Sequence, residues 1–205
     1  MKLKYIALAV LINISIILID YSLYPGQLLS ARSSGLTAEQ RQQLESLSIK
    51  TILPQYVPGG FAIIDVKLED AAEGTSRDQV TGYTVLYEKD NTCFLIEAIN
   101  KGIGDTLDLE SMQPIASKLF GGGYFLNYGA PKDAEVKKEF PDPDLYSDWM
   151  KYENAYYRLS GSLLAREQYD YANCRQDISP DEALKIIQSL APINNQNKLI
   201  KTHRN

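Results

Sequence analysis

The sequence predicts an α+β fold: a mostly antiparallel sheet of about five strands, with a C-terminal helix packed on one face. Three observations carry this expectation. Strand-like segments gather in the middle of the chain, one pair of them flanks a tight-turn sequence, and well-capped helical signals stand near either end.

Taken in chain order, the first helical signal begins at Thr37. Thr37 can cap, Gln40 stands three residues on, and Ala38 to Glu45 has high helix propensity. Only Leu36, Leu44 and Leu47 are apolar there, so a short surface helix is expected. Leu53 and Val57 each precede a proline and are pushed toward extended geometry. Val57-Pro58-Gly59-Gly60 suits a type II turn with positive φ at Gly59. A strand follows over about 61–68, with Ala62, Ile64, Val66 and Leu68 alternating against Asp65 and Lys67. Residues 70–80 are polar and read as a mobile loop. The clearest hairpin pairs Tyr83–Tyr87 with Cys93–Ile99 around Asp90-Asn91, and the doubly apolar run Phe94–Ile96 places its second strand centrally. Residues 109–119 read as helical, although Pro114 opposes that. Tyr124–Tyr128 and Ala155–Ser160 read as further strands. For the final helix, Ser179 caps, Pro180 takes the first position, Asp181 and Glu182 lie in the first turn, and Pro192 stops it. Leu184, Ile187 and Leu190 form its apolar stripe.

The ends of the chain set the compartment. Lys2 and Lys4 precede an apolar run from Tyr5 to Ile19, broken only by Asn13 and Ser15 and closed by Asp20. A positive start followed by an apolar run reads as an export signal or a membrane anchor. Two outcomes stay open. Ala31-Arg32-Ser33 offers small residues for cleavage, whereas Tyr21 and Tyr24 would suit the outer interface of an uncleaved anchor spanning residues 5–24. The expected organisation is therefore a signal or anchor plus tether over 1–36, one domain over 37–192 and a disordered tail over 193–205. The two cysteines, Cys93 and Cys174, are expected to form a disulfide in an oxidising, non-cytoplasmic compartment.

Several motifs resemble those of an uncharacterised family of exported bacterial proteins, many of them cyanobacterial, that carry a domain of unknown function. They are Leu-Pro-x-Tyr-x-Pro-x-Gly-Phe at 53–61, Tyr-x-Val-x-Tyr followed by Cys-Phe in the hairpin, Tyr-Tyr-Arg-Leu-Ser-Gly at 156–161 and Ser-Pro-Asp-Glu-Ala-Leu at 179–184. The resemblance covers about residues 50–191. It implies export and a sheet-plus-helix domain, and it carries over no activity.

Composition and motifs exclude much chemistry. With 21 basic against 26 acidic residues, the chain lacks the positive balance that nucleic-acid binding demands. The single His203 lies in the tail, which removes Ser-His-Asp and Cys-His catalysis and histidine-rich zinc sites. Gly102-Ile103-Gly104 and Gly121-Gly122-Gly123 match no nucleotide fingerprint and read as turns. No cofactor is called for. Two acidic groups remain, Asp105, Asp108 and Glu110, and Asp142 with Asp144 around Pro143. Paired carboxylates of this kind could bind calcium or hydrolyse glycosides, though solvated loops are the simpler reading. The densest aromatic stretch holds Tyr146, Trp149, Tyr152, Tyr156 and Tyr157, beside a Pro-Asp-Pro-Asp sequence expected to keep it exposed and irregular. Those five residues, which precede Tyr169 and Tyr171, are the candidate binding site, with Trp149 its best anchor, and core or strand packing is the alternative reading of the same rings. The function expected is a non-catalytic cell-envelope module binding a protein or a glycan. The alternatives are a hydrolase using carboxylates or a Ser-Lys pair, and a carrier of an apolar ligand.

Overall fold

A computed structural model describes residues 35–70, 81–101, 103–104 and 106–193. The expected signal or anchor at 5–24, the expected loop at 71–80, Gly102, Asp105, His203 and the expected tail from 194 on lie outside the described residues. No helix among the described residues is long and apolar enough to cross a membrane.

The chain runs through α1 (Ala38–Ser46), β1 (Ile52–Pro54), β2 (Ala62–Asp70), β3 (Thr81–Lys89), β4 (Thr92–Ile99), β5 (Leu109–Ser117) and β6 (Gly121–Pro131). It continues with α2 (Ala134–Glu139), β7 (Asp144–Ser147), β8 (Met150–Tyr152), β9 (Ala155–Ser160), α3 (Ser162–Tyr169), β10 (Gln176–Asp177), α4 (Pro180–Gln188) and β11 (Leu190–Pro192). The mostly antiparallel α+β architecture stands, but about five strands is an undercount. Nine strands form one sheet ordered β2-β3-β4-β9-β7-β6-β5, with β10 on β4 and β8 on β9, and β1 pairs with β11 in a second, two-stranded sheet.

Local chemistry accounts for the elements that were expected. Thr37 and Gln40 make the reciprocal capping box of α1. In the central hairpin Asp90 and Asn91 both take positive φ, the two-residue turn that matches strand twist. The side chain of Ser179 caps α4 and Pro180 enters at its first turn.

Five expectations need correction. Residues 109–117 form strand β5, not a helix: Leu109, Ile115 and Ser117 are buried at a period of two, and Pro114 sits where β5 is the sheet edge and its missing N–H does no harm. The turn before β2 lies one residue further on, with Phe61 N–H donating to Pro58 C=O and the positive φ at Gly60. A register shift between Ile63 and Asp65 turns Ile63 inward beside Val66 and Leu68 and leaves Ile64 exposed. The last helix stops at Gln188, and Leu190 is buried in β11, not on the helix. After Pro-Asp-Pro-Asp the chain is strand β7, inserted between β6 and β9 with Leu145, Tyr146 and Ser147 buried.

The large sheet has two covered faces, legible in β4. Phe94, Ile96 and Ala98 join the main core with Val85, Tyr157, Ile186 and Ile187, where α4 packs against β5 and β6. Cys93 and Leu95 face the other way, into a smaller cluster with Leu86, Ala165 and Tyr169 under α3. On the first face the Tyr83 hydroxyl both accepts from Ile52 N–H at 2.7 Å and donates to Ile52 C=O at 2.8 Å, tying the small sheet to the large one. On the second face Cys93 and Cys174 are disulfide-bonded, with Cα atoms 5.4 Å apart, and both are fully buried.

Candidate functional site

On the α3 face, antiparallel pairing lines up a polar row across four neighbouring strands. Lys67 on β2 stands opposite Thr84 on β3, Thr84 opposite Glu97 on β4, and Glu97 opposite Arg158 on β9. Glu97 breaks an otherwise apolar strand, and its side chain is 6% exposed. A charge so deep is tolerated only when its lone pairs are filled. Here Arg158 Nε donates to Glu97 Oε2 at 3.0 Å, Ser160 Oγ donates to the same oxygen at 2.5 Å, and the Tyr169 hydroxyl donates to Oε1 at 3.3 Å. Thr84 Oγ1 donates to that hydroxyl at 2.8 Å. Lys67 Nζ donates to the Tyr169 carbonyl at 3.1 Å and lies over the rings of Tyr169 and Tyr171.

Beside this row opens a cleft of about 320 Å³, at the small end for ligand sites. Glu69, Glu97, Trp149, Arg158, Gln168 and Tyr169 supply its polar lining. The Arg158 guanidinium lies 4.2 Å from the centre of the Trp149 rings, a cation–π contact that fixes both side chains. The Trp149 indole nitrogen is buried and has no acceptor among the described residues. Burial, and then the neighbouring Glu97, raise the Glu69 carboxyl above the usual carboxylate range, against a hydrogen bond from Tyr169. A second cleft of about 190 Å³ shares Arg158 and Leu164 with the first and is lined by Asp144, Tyr146, Leu163 and Glu167.

The five expected aromatic residues therefore part company. Trp149 and Tyr146 line the two neighbouring clefts, although Tyr146 is itself almost buried. Tyr157 belongs to the main core, its hydroxyl donating to Lys50 C=O at 2.8 Å. Tyr152 packs against that core and lines a separate groove with Ser48, Lys50 and Glu153. The Tyr156 ring takes Lys151 at 5.9 Å. An exposed, irregular aromatic patch does not form.

Nor do the described members of the acidic groups converge. Asp108 pairs with Lys132, Glu110 with Lys137 and Asp142 with Arg166, while Asp144 turns inward. No three His, Cys, Asp or Glu side chains among the described residues are placed to hold a metal. Glu97 and Arg158 do not stand out in the sequence as site residues, whereas Tyr169 does so only as one ring among several. The signal available was a lone carboxylate inside the run Phe94–Ile99 and a lone guanidinium inside Ala155–Ser160.

Asp144 sets a pH dependence. Burial, opposed by the Leu145 N–H and helped by Asp177, raises its carboxyl to about 6, even with Arg158 and Arg166 nearby. A carboxyl whose folded value lies above its unfolded value stabilises at low pH, and that contribution is lost as pH rises through about 6. Asp144→Asn keeps an acceptor for Leu145 N–H and should stabilise the fold by about 1–3 kcal/mol at pH 7–8. The gain should largely fade by about pH 4, where the folded-state carboxyl of Asp144 is protonated and the unfolded one about half so. Chemical denaturation at pH 4 and pH 7.5 checks this, and an equal or absent gain at the two values would refute it.

Comparison with known families, curated proteins and solved structures found no match.

Proposed function

We propose that this protein is an exported, non-catalytic binding module, and that its ligand is a small saccharide held in the cleft beside the Glu97–Arg158 pair. One observation carries this reading. A single cleft of about 320 Å³ is lined by Trp149, whose buried indole N–H lacks an acceptor among the described residues, together with a guanidinium, a phenol and two carboxylates. A sugar hydroxyl both accepts and donates, so a polyol suits that mixed lining, and aromatic walls favour its ring. Charged groups in the cleft between sheet and α3 do not favour an apolar cargo. Export is supported by the Lys2/Lys4 apolar start and by the disulfide, a bond at home outside the cytoplasm. The resemblance to exported bacterial proteins of unknown function points the same way.

Trp149 is the only tryptophan, so its fluorescence reports the cleft directly. Titration with a panel of mono- and disaccharides should quench or shift that emission. Trp149→Phe keeps a ring for Arg158 but removes the indole N–H. Followed by calorimetry, it should weaken saccharide binding about tenfold, the loss expected for one buried hydrogen bond, with little change in melting temperature. Unchanged affinity would remove the cleft from the reading. A hydrolase is the second reading, favoured because Glu69 and Glu97 both lie against the Tyr169 hydroxyl and Glu69 has the raised proton affinity of a general acid. Turnover of a nitrophenyl glycoside, abolished in Glu97→Gln, would move the assignment there.

A further inference from the structure

Charge within the cleft narrows the ligand class, an inference that rests on the saccharide reading. The Arg158 guanidinium is already committed, through Nε to Glu97 and through its face to Trp149. Glu97 receives Arg158, Ser160 and Tyr169. Lys67 is held at the Tyr169 carbonyl and over the rings of Tyr169 and Tyr171. Glu69 is in a different position. It lines the cleft, Glu97 repels its charge, and the single Tyr169 hydroxyl proton, which favours its ionised form, is shared with Glu97. Among the described residues, two carboxylates against one guanidinium leave the lining one negative charge in excess. Trp149 lines the same cleft, and its buried indole N–H lacks an acceptor among the described residues.

We propose that the ligand is an amino sugar, with its ammonium on Glu69 and a ring hydroxyl oxygen accepting the Trp149 indole N–H. An ammonium relieves the repulsion between Glu69 and Glu97. The cleft volume admits one sugar ring and little more.

Calorimetric titration of the full chain at pH 6.5 with glucosamine, N-acetylglucosamine and glucose tests this. The three share a ring, and only the first carries a positive charge. Glucosamine should bind about tenfold more tightly than the other two, a difference of about 1.4 kcal/mol. Added salt should shrink that advantage, and Glu69→Gln should abolish it. Equal binding of all three sugars to the wild-type protein overturns the amino-sugar assignment and leaves the saccharide reading standing. Binding of none of them overturns both. The three-sugar comparison needs no variant, so a poorly folded Glu69→Gln protein would not protect the proposal.

Discussion

Replacing Cys93 and Cys174 together with alanine should lower unfolding stability by about 4.5 kcal/mol in the chain-entropy model, because the bond closes a loop across 81 positions. In a domain of this size that is a fall in melting temperature of roughly 10–15 °C. Both sulfurs are fully buried beside Leu86, Leu95 and Ala165, so the truncated side chains leave a void that adds to the loss. The damage should be local first. Cys174 follows α3 by five residues, its carbonyl accepts from Arg166, and α3 carries Tyr169. Hydrogen exchange at the end of α3 should therefore rise before that of β3 or β4. Thiol titration of the denatured, unreduced protein recovered from its host should find no free thiol. Two free thiols would refute the bond and remove one support for export. A loss below about 1 kcal/mol would show that the bond adds little to the fold.

Arg158→Leu should cost about 3–5 kcal/mol, since it strands the Glu97 carboxylate inside the protein. The double variant Glu97→Leu/Arg158→Leu should recover most of that loss, because two apolar side chains of suitable size can fill the row without a charge to solvate. A double-mutant cycle measured by denaturant unfolding gives the coupling directly. A single-variant loss under about 1 kcal/mol would mean that water reaches Glu97 freely and that the row is not a buried network. The same pair supports the cleft, so the double variant should fold and still fail to bind saccharide. That separation would assign the network to function as well as to stability.

What the sequence revealed and what it hid divide by distance along the chain. The hairpin around Asp90-Asn91, the capping box at Thr37 and the start of α4 at Ser179-Pro180 are each written within a few neighbouring residues. Strand β7 is four residues long and follows two prolines, and its partners lie on β6 and β9, so nothing local marks it. Strand β5 misled because Pro114 argues against either regular structure until the edge position is known. The site followed the same rule. Trp149 and Tyr146 were visible as large rings, whereas Glu97 and Arg158, 61 positions apart, meet only through strand register. Tyr157 looked like surface because its burial depends on which face of β9 it occupies.

The small two-stranded sheet has a consequence for how the protein is made. Ile52 pairs with Pro192 and Pro54 with Leu190, so the first strand of the fold waits for the last. During synthesis the N-terminal half emerges long before its partner, and contacts this remote in sequence form late and slowly. Tyr83, whose hydroxyl grips Ile52, has no backbone to hold until that closure positions it. On the proposed export route such a delay would keep the native clasp open until the whole chain has been released.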